Sequence, residues 1–216
     1  DISKWDTTNV QDFVTTFSEA KRFNTDLNSW NMGKATDMTL MFYQALKFND
    51  DINTWQVGKV RTFKYTFQDA KEFNSPLADW DMGNAETLES MFGAASKFNQ
   101  DLSSWPNPQK KWSPNFNPLG LMEFLDGARN FQSPIFDTIP STVTRLSAMF
   151  SNTKFNLDII NMWDVKNIEK FEGMFSASEF NQPLDKWDMS KAYDVSTMFY
   201  LSLNFNQDIS MWQVSK

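Results

Sequence analysis

The sequence predicts an α/β solenoid, a stack of about nine coils of about 25 residues, each with a short parallel strand and a short helix. Two sets of residues that recur at this interval, called ladders below, predict this fold. The tryptophan ladder recurs every 25 residues and resumes after a gap: Trp5, Trp30, Trp55, Trp80, Trp105, Trp163, Trp187 and Trp212. The asparagine ladder, in which each Asn follows a Phe, consists of Asn24, Asn49, Asn74, Asn99, Asn156, Asn181 and Asn206. Such a period is typical of repeats that bury their apolar faces against one another.

The first half of each repeat alternates apolar and polar residues, as a short strand does. In one repeat Trp30 and Met32 are apolar, whereas Ser29 and Asn31 are polar. Because successive strand side chains point to opposite faces, we expect Trp30 and Met32 to be buried and Ser29 and Asn31 to be exposed. Strands of successive coils would then pair in parallel.

The second half of each repeat changes period. Ala35, Met38, Phe42 and Ala45 are apolar at positions i, i+3, i+7 and i+10. This spacing predicts an amphipathic helix of two to three turns. We interpret the asparagine ladder as structural, with each buried amide bonding to the turn backbone of its own and the next coil.

Composition excludes several classes of function. The chain has 216 residues, a net charge of −7, no Cys and no His. The acidic balance disfavours nucleic acid and anionic membranes as partners, and no apolar run reaches the roughly 18 residues of a membrane span. Without His, Cys or a recognisable nucleophile or phosphate motif, we expect no enzyme, no metal site and no cofactor.

The repeats predict a single domain over residues 1–216. The chain begins and ends within a repeat, which predicts that it is part of a longer protein with possible end-to-end or assembly contacts. One repeat is irregular, because Phe98 and Phe131 are 33 residues apart and enclose a proline-rich inserted loop, residues 106–118.

The inserted loop is the first candidate binding site. Its candidate residues are Lys110, Lys111, Trp112, Asn115 and Phe116. Insertions in repeat proteins map to loops that often bind partners, and a loop stiffened by proline loses little entropy on binding. The alternative is a decayed repeat in which Trp112 folds back over the core.

The predicted strand face is the second candidate site. Its outward side chains are Asp6, Asn31, Gln56, Asp81, Asp164 and Asp188. This surface would be polar and slightly acidic, which favours a basic or neutral protein partner, or a glycan that stacks on Trp112. Carboxylates at such regular spacing do not single out a catalytic pair.

The repeat signature resembles the BspA-like leucine-rich-repeat group, also known as the DUF285 repeat. Residues 1–6, DISKWD, and residues 205–212, FNQDISMW, carry that signature most clearly. The resemblance implies a leucine-rich-repeat-like, right-handed stack and a non-enzymatic protein-binding or adhesion role at the cell surface or outside the cell. The alternative is a structural or scaffold subunit of a larger assembly, including one in an organelle lumen.

Overall fold

The computed structural model describes residues 2–106 and 111–214. Within them the only helices are two short 3₁₀ helices, Ile2–Lys4 and Asp158–Met162, and no strand forms. Parallel pairing is confined to isolated bridges, which are Asp12–Asp37, Asp37–Thr62, Thr62–Thr87, Arg145–Lys170 and Lys170–Asp194. The predicted α/β solenoid, with its leucine-rich-repeat-like, right-handed coils of strand plus helix, is therefore wrong.

The segments predicted to be helical are runs of turns that bond to the next repeat. The N–H of Met38 donates to the carbonyl of Thr62 at 3.1 Å, and the N–H of Phe42 donates to that of Thr66 at 2.9 Å. Between them, the N–H of Met41 donates back three residues to the carbonyl of Met38 at 3.1 Å. In an α-helix each N–H would instead bond four residues back. About half of the main-chain N–H groups in these segments therefore donate to the neighbouring repeat and not within the segment.

The spacing between repeats explains why a helix does not form. The rings of Phe42 and Phe67, which lie at equivalent positions of adjacent repeats, have centroids 5.5 Å apart. An α-helix with its side chains is about 10–12 Å wide, so helices could not stack at this distance. A helix of two or three turns also has little stability of its own.

The turns place many non-glycine residues in the left-handed region of φ. In one repeat φ is 58° at Leu40 and 53° at Gln44, and the pattern recurs along the chain. Each such residue costs about 1–2 kcal/mol relative to the right-handed region. Both residues donate their N–H to the next repeat, Leu40 to Lys64 at 3.0 Å and Gln44 to Gln68 at 2.8 Å, and these hydrogen bonds offset the strain.

This backbone strain predicts opposite effects for two substitutions in one repeat. Gly173 has a φ of 60°, and an added Cβ would come no closer than 3.6 Å to another group. Gly173→Ala should therefore add only strain and lower the free energy of unfolding by about 1 kcal/mol. Ala177 is exposed with a φ of 51°, so Ala177→Gly should raise that free energy by about 0.5 kcal/mol. Urea titrations measure both changes. If the two variants changed the free energy of unfolding in the same direction, the positive φ assigned to these residues would be contradicted.

The expected division between buried and exposed side chains is confirmed. Trp30 and Met32 are buried, while Ser29 and Asn31 are exposed. Apolar side chains of the turn segments are also buried, so they complete the core beside the tryptophans. The inward positions are thus those that the sequence indicates, although the backbone that carries them is not helical.

Aromatic rings stack along the whole described structure. A phenylalanine ladder joins consecutive repeats with centroid distances of 5.8–6.4 Å: Phe23, Phe48, Phe73, Phe98, Phe131, Phe155, Phe180 and Phe205. It crosses the inserted loop without interruption, since Phe98 and Phe131 are 6.0 Å apart. The eight extra residues between Phe98 and Phe131 therefore do not interrupt this ladder.

The tryptophan ladder also fastens each repeat to the preceding one. Each indole N–H donates to a main-chain carbonyl at 2.8–3.3 Å, in the pairs Trp30–Ile2, Trp55–Leu27, Trp80–Ile52, Trp105–Leu77, Trp163–Phe136, Trp187–Ile160 and Trp212–Leu184. The polar N–H of each indole is satisfied in this way, while most of these carbonyls also accept a main-chain N–H from three residues later, as Ile52 does from Trp55 at 3.1 Å. Phenylalanine could fill the same space but could not donate this hydrogen bond.

Candidate functional site

The inserted loop packs back on the core through its aromatic residues. Phe116 is 1% exposed. Trp112 is half-buried, and its ring meets those of Phe116 and Phe136 edge-on at centroid distances of 5.5 and 5.1 Å. Lys111 and Asn115 are exposed, whereas Lys110 lies outside the described residues. Of the predicted loop site, Lys111, Trp112 and Asn115 thus reach the surface.

The last two residues of the inserted loop form hydrogen bonds between repeats. The N–H of Asn117 donates to the carbonyl of Glu86 at 2.7 Å, as the N–H of Glu86 donates to that of Arg61 at 2.6 Å. The N–H of Thr144 then donates to the carbonyl of Pro118 at 3.0 Å. One column of hydrogen bonds therefore runs past the inserted loop on the side of the isolated bridges.

The predicted strand-face residues form turns in place of strands. Five of the six accept the N–H of the residue two positions later through a side-chain oxygen at 2.8–3.4 Å: Asp6, Asn31, Asp81, Asp164 and Asp188. Such Asx-turns explain the choice of Asp or Asn at this position. The sixth, Gln56, donates through Nε2 to the carbonyl of Thr54 at 3.2 Å. All six are exposed or half-buried, and each directly follows a tryptophan of the ladder.

These turns lower the pKa of several carboxyl groups. The hydroxyl and N–H of Ser190 hold the pKa of Asp188 below its ordinary value of 3.8. The ammonium of Lys166, 2.7 Å from the carboxylate, has the same effect on the pKa of Asp164. A carboxyl with a lowered pKa stabilises the fold above its unfolded-state pKa, and this contribution is lost as the pH falls through the folded-state pKa.

We expect Asp188→Asn to make the fold less sensitive to acid. Asn31 accepts the corresponding N–H at 2.8 Å without titrating, so the variant keeps the turn and removes the ionisation. Guanidinium unfolding midpoints of the wild type and the variant should therefore converge as the pH is lowered below about 4. A difference between them that is independent of pH would show that the carboxylate is not stabilised by folding.

The asparagine ladder is a chain of hydrogen bonds between repeats. Each Oδ1 accepts the main-chain N–H at the equivalent position of the next repeat at 2.7–2.9 Å, in the pairs Asn24–Asn49, Asn49–Asn74, Asn74–Asn99, Asn99–Gln132, Asn156–Asn181 and Asn181–Asn206. The bond to the next repeat agrees with the structural interpretation. The amides, however, are exposed or half-buried, whereas we expected them to be buried.

A groove of the described structure lies on the bridge side, which the sequence does not single out. We call it the bridge groove. It encloses about 680 Å³ and is lined by Thr36, Asp37, Arg61, Thr62, Glu86, Thr87, Asn115, Asn117 and Pro118. The first six occupy two adjacent positions in three successive repeats. The last three belong to the inserted loop. The loop therefore closes one end of a groove whose walls are repeated side chains.

Most of the residues that line the bridge groove are polar or charged, and the groove is slightly acidic. The Arg61 side chain lies 3.7 Å from the Glu86 carboxylate and remains 61% exposed. The Asp37 carboxylate accepts the N–H of Thr39 at 2.8 Å. With two carboxylates and one guanidinium, the groove carries an excess of one negative charge. The sequence signal that could have located it is the recurrence of uncharged Thr beside charged residues at one interval of the repeat.

The described residues contain no group of three or more His, Cys, Asp or Glu placed to hold a metal ion. In the same part of the chain, no helix has the length and apolar character needed to cross a membrane. Two grooves contain residues of the inserted loop: the bridge groove and the groove around Trp112.

Comparison with known proteins identifies a family. The model of the family described as "Mycoplasma protein of unknown function, DUF285" matches residues 1–105 and 120–216. The unmatched residues, 106–119, include the whole inserted loop. No curated protein and no solved structure matches the chain.

Proposed function

This chain belongs to the DUF285 family, and we propose that it is a non-enzymatic protein-binding module of the adhesion type, from a cell-surface or secreted protein. The observation that supports this role best is the bridge groove, which runs across three repeats and ends at the inserted loop. A long, open groove with dispersed polar groups suits an extended segment of a partner protein better than a small substrate.

The charge of the groove favours a basic segment. Asp37 and Glu86 outnumber Arg61, and the whole chain carries a net charge of −7. A field of one sign steers oppositely charged partners toward the surface and raises the rate of association. We therefore expect the partner to present Lys or Arg beside Asp37.

The finer assignment to BspA-like surface proteins is part of this proposal. It is supported by the signature that recurs along the chain, of which residues 205–212 are one instance. It does not extend to a leucine-rich-repeat architecture, because the described residues contain neither the strands nor the α-helices of that fold.

A display library of short random peptides, selected on the intact chain, tests this proposal. We expect the selected peptides to be rich in Lys and Arg. Asp37→Asn keeps an acceptor for Thr39 but removes the charge, so it should weaken binding about tenfold. Asp101→Asn is the matched control, because Asp101 accepts the N–H of Ser103 at 2.8 Å in the same kind of turn away from the groove.

A second variant blocks the groove by size. Thr36 is exposed, so Thr36→Trp should fill the groove without disturbing the core, and Thr8→Trp gives the same change at another exposed threonine. Selected peptides that bind Thr36→Trp as tightly as the wild type would exclude the bridge groove as the binding site. Loss of binding in Thr36→Trp but not in Thr8→Trp is the result that we expect.

A further inference from the structure

A second groove surrounds the exposed part of Trp112, and we call it the Trp112 groove. It encloses about 410 Å³, and its walls include Pro106, Lys111, Trp112, Pro114, Ile139 and Ser141. None of these residues lines the bridge groove. The Trp112 groove is therefore a separate site, and a ligand there would be independent of the protein-binding role proposed above.

Trp112 is held in one orientation before any ligand binds. Its indole N–H donates to the carbonyl of Thr138 at 2.9 Å. Its ring meets Phe116 at an interplanar angle of 73° and Phe136 at 81°. A side chain fixed by a hydrogen bond and two aromatic contacts has little rotamer freedom left to lose on binding. The groove thus presents a preorganised aromatic surface.

The hydrogen bond to Thr138 restricts what this surface can bind. Because the indole N–H already has an acceptor, Trp112 offers a ligand only its ring. A proline-rich peptide presents carbonyl acceptors and few N–H donors, so it would gain no hydrogen bond from the indole of Trp112. A pyranose ring instead presents C–H groups, which stack on the negative face of an aromatic ring.

The polar groups at the edge of the groove suit the rest of a sugar. The hydroxyl of Ser141 can donate to or accept from sugar hydroxyls. Lys111 is exposed, and within residues 2–106 and 111–214 it forms no ion pair. On a chain with a net charge of −7, this ammonium group provides a local positive charge, which favours a ligand with a carboxylate.

We propose that the Trp112 groove binds an acidic saccharide, with one sugar ring stacked on Trp112 and its carboxylate paired with Lys111. Sialic acid and uronic acids both supply a pyranose ring with a carboxylate, and the chemistry of the groove is common to the two. The inserted loop would then give the chain a carbohydrate site, and the loop lies in the part of the chain that the family model leaves unmatched.

Isothermal titration of the intact chain with two matched pairs of saccharides tests this inference. The first pair is 3′-sialyllactose and lactose, and the second is trigalacturonic acid and its methyl ester. We expect the charged member of at least one pair to bind about tenfold more tightly than its neutral partner, and the pair that shows this difference identifies the source of the carboxylate. High salt should reduce the difference.

Two lysine variants assign the binding to the groove. Lys111→Gln changes an exposed side chain and should remove the preference for the charged saccharide, whereas Lys59→Gln, at another exposed lysine, should retain it. Trp112→Ala should abolish binding; if this variant unfolds, the indole resonance of Trp112 in the wild type should shift during titration.

Equal binding of charged and neutral saccharides would overturn the proposal, as would a preference for the charged saccharide that survives Lys111→Gln. Absence of binding by both charged saccharides would overturn it too. A proline-rich peptide that binds at Trp112 when no saccharide does would show that the groove recognises protein. None of these results bears on the bridge groove, whose variants lie in other repeats.

Discussion

Trp80→Ala is expected to lower the free energy of unfolding by about 3–5 kcal/mol, the usual cost of deleting a buried tryptophan ring. Trp80 is 1% exposed, stacks on Trp55 at 6.4 Å and contacts Phe63 at 5.6 Å. Its indole N–H also donates a hydrogen bond to the carbonyl of Ile52 at 3.0 Å. Guanidinium unfolding followed by circular dichroism would measure the loss.

Two further variants separate the contributions of the ring and the hydrogen bond. Trp80→Phe keeps an aromatic ring but removes one of the two N–H donors to the carbonyl of Ile52, which still accepts the N–H of Trp55 at 3.1 Å, so it should cost about 0.5–1.5 kcal/mol. Trp5→Ala is the control, because Trp5 is 57% exposed and belongs to the same ladder. If Trp5→Ala destabilised the chain as much as Trp80→Ala, burial in the ladder would not be the cause.

Asn74→Ala is expected to lower the free energy of unfolding by about 1–3 kcal/mol. Its Oδ1 accepts the N–H of Asn99 at 2.8 Å and Nε2 of Gln100 at 3.0 Å. Because Asn74 is half-buried, water would replace these bonds only in part, and a poorly satisfied donor is costly. Chemical unfolding again measures the effect.

Asn74→Asp provides the matched control for this position. Aspartate has nearly the same shape and keeps an oxygen acceptor for Asn99 and Gln100, so most of the stability should remain. A loss as large as that of Asn74→Ala would mean that the amide acts in some way other than as an acceptor between repeats.

The sequence predicts which side chains are buried better than it predicts the backbone. Ala35, Met38 and Phe42 are buried, as their spacing indicates, but this spacing is shared by an amphipathic helix and by consecutive turns. Left-handed turn positions are usually signalled by Gly or Asn. Here residues such as Leu40 and Tyr65 occupy them, so the sequence carries no local sign of the turns.

The candidate sites differ in how far they could be predicted. The inserted loop is visible in the sequence because its prolines interrupt the period, and Trp112 reaches the surface there. The bridge groove is not visible, because Thr36, Arg61 and Glu86 are 25 residues apart and become neighbours only through hydrogen bonds between repeats. A site of this kind depends on which residues of neighbouring repeats lie side by side. The helices predicted from the sequence do not give that alignment.

The hydrogen bonds between repeats are the central feature of this fold, and scalar couplings across hydrogen bonds test them most directly. An NMR experiment on the isotopically labelled chain can detect which carbonyl accepts the N–H of Phe67. The structure predicts a coupling to the carbonyl of Met91, which accepts this N–H at 2.9 Å. A coupling to the carbonyl of Phe63, four residues earlier, would show an α-helix and contradict the account.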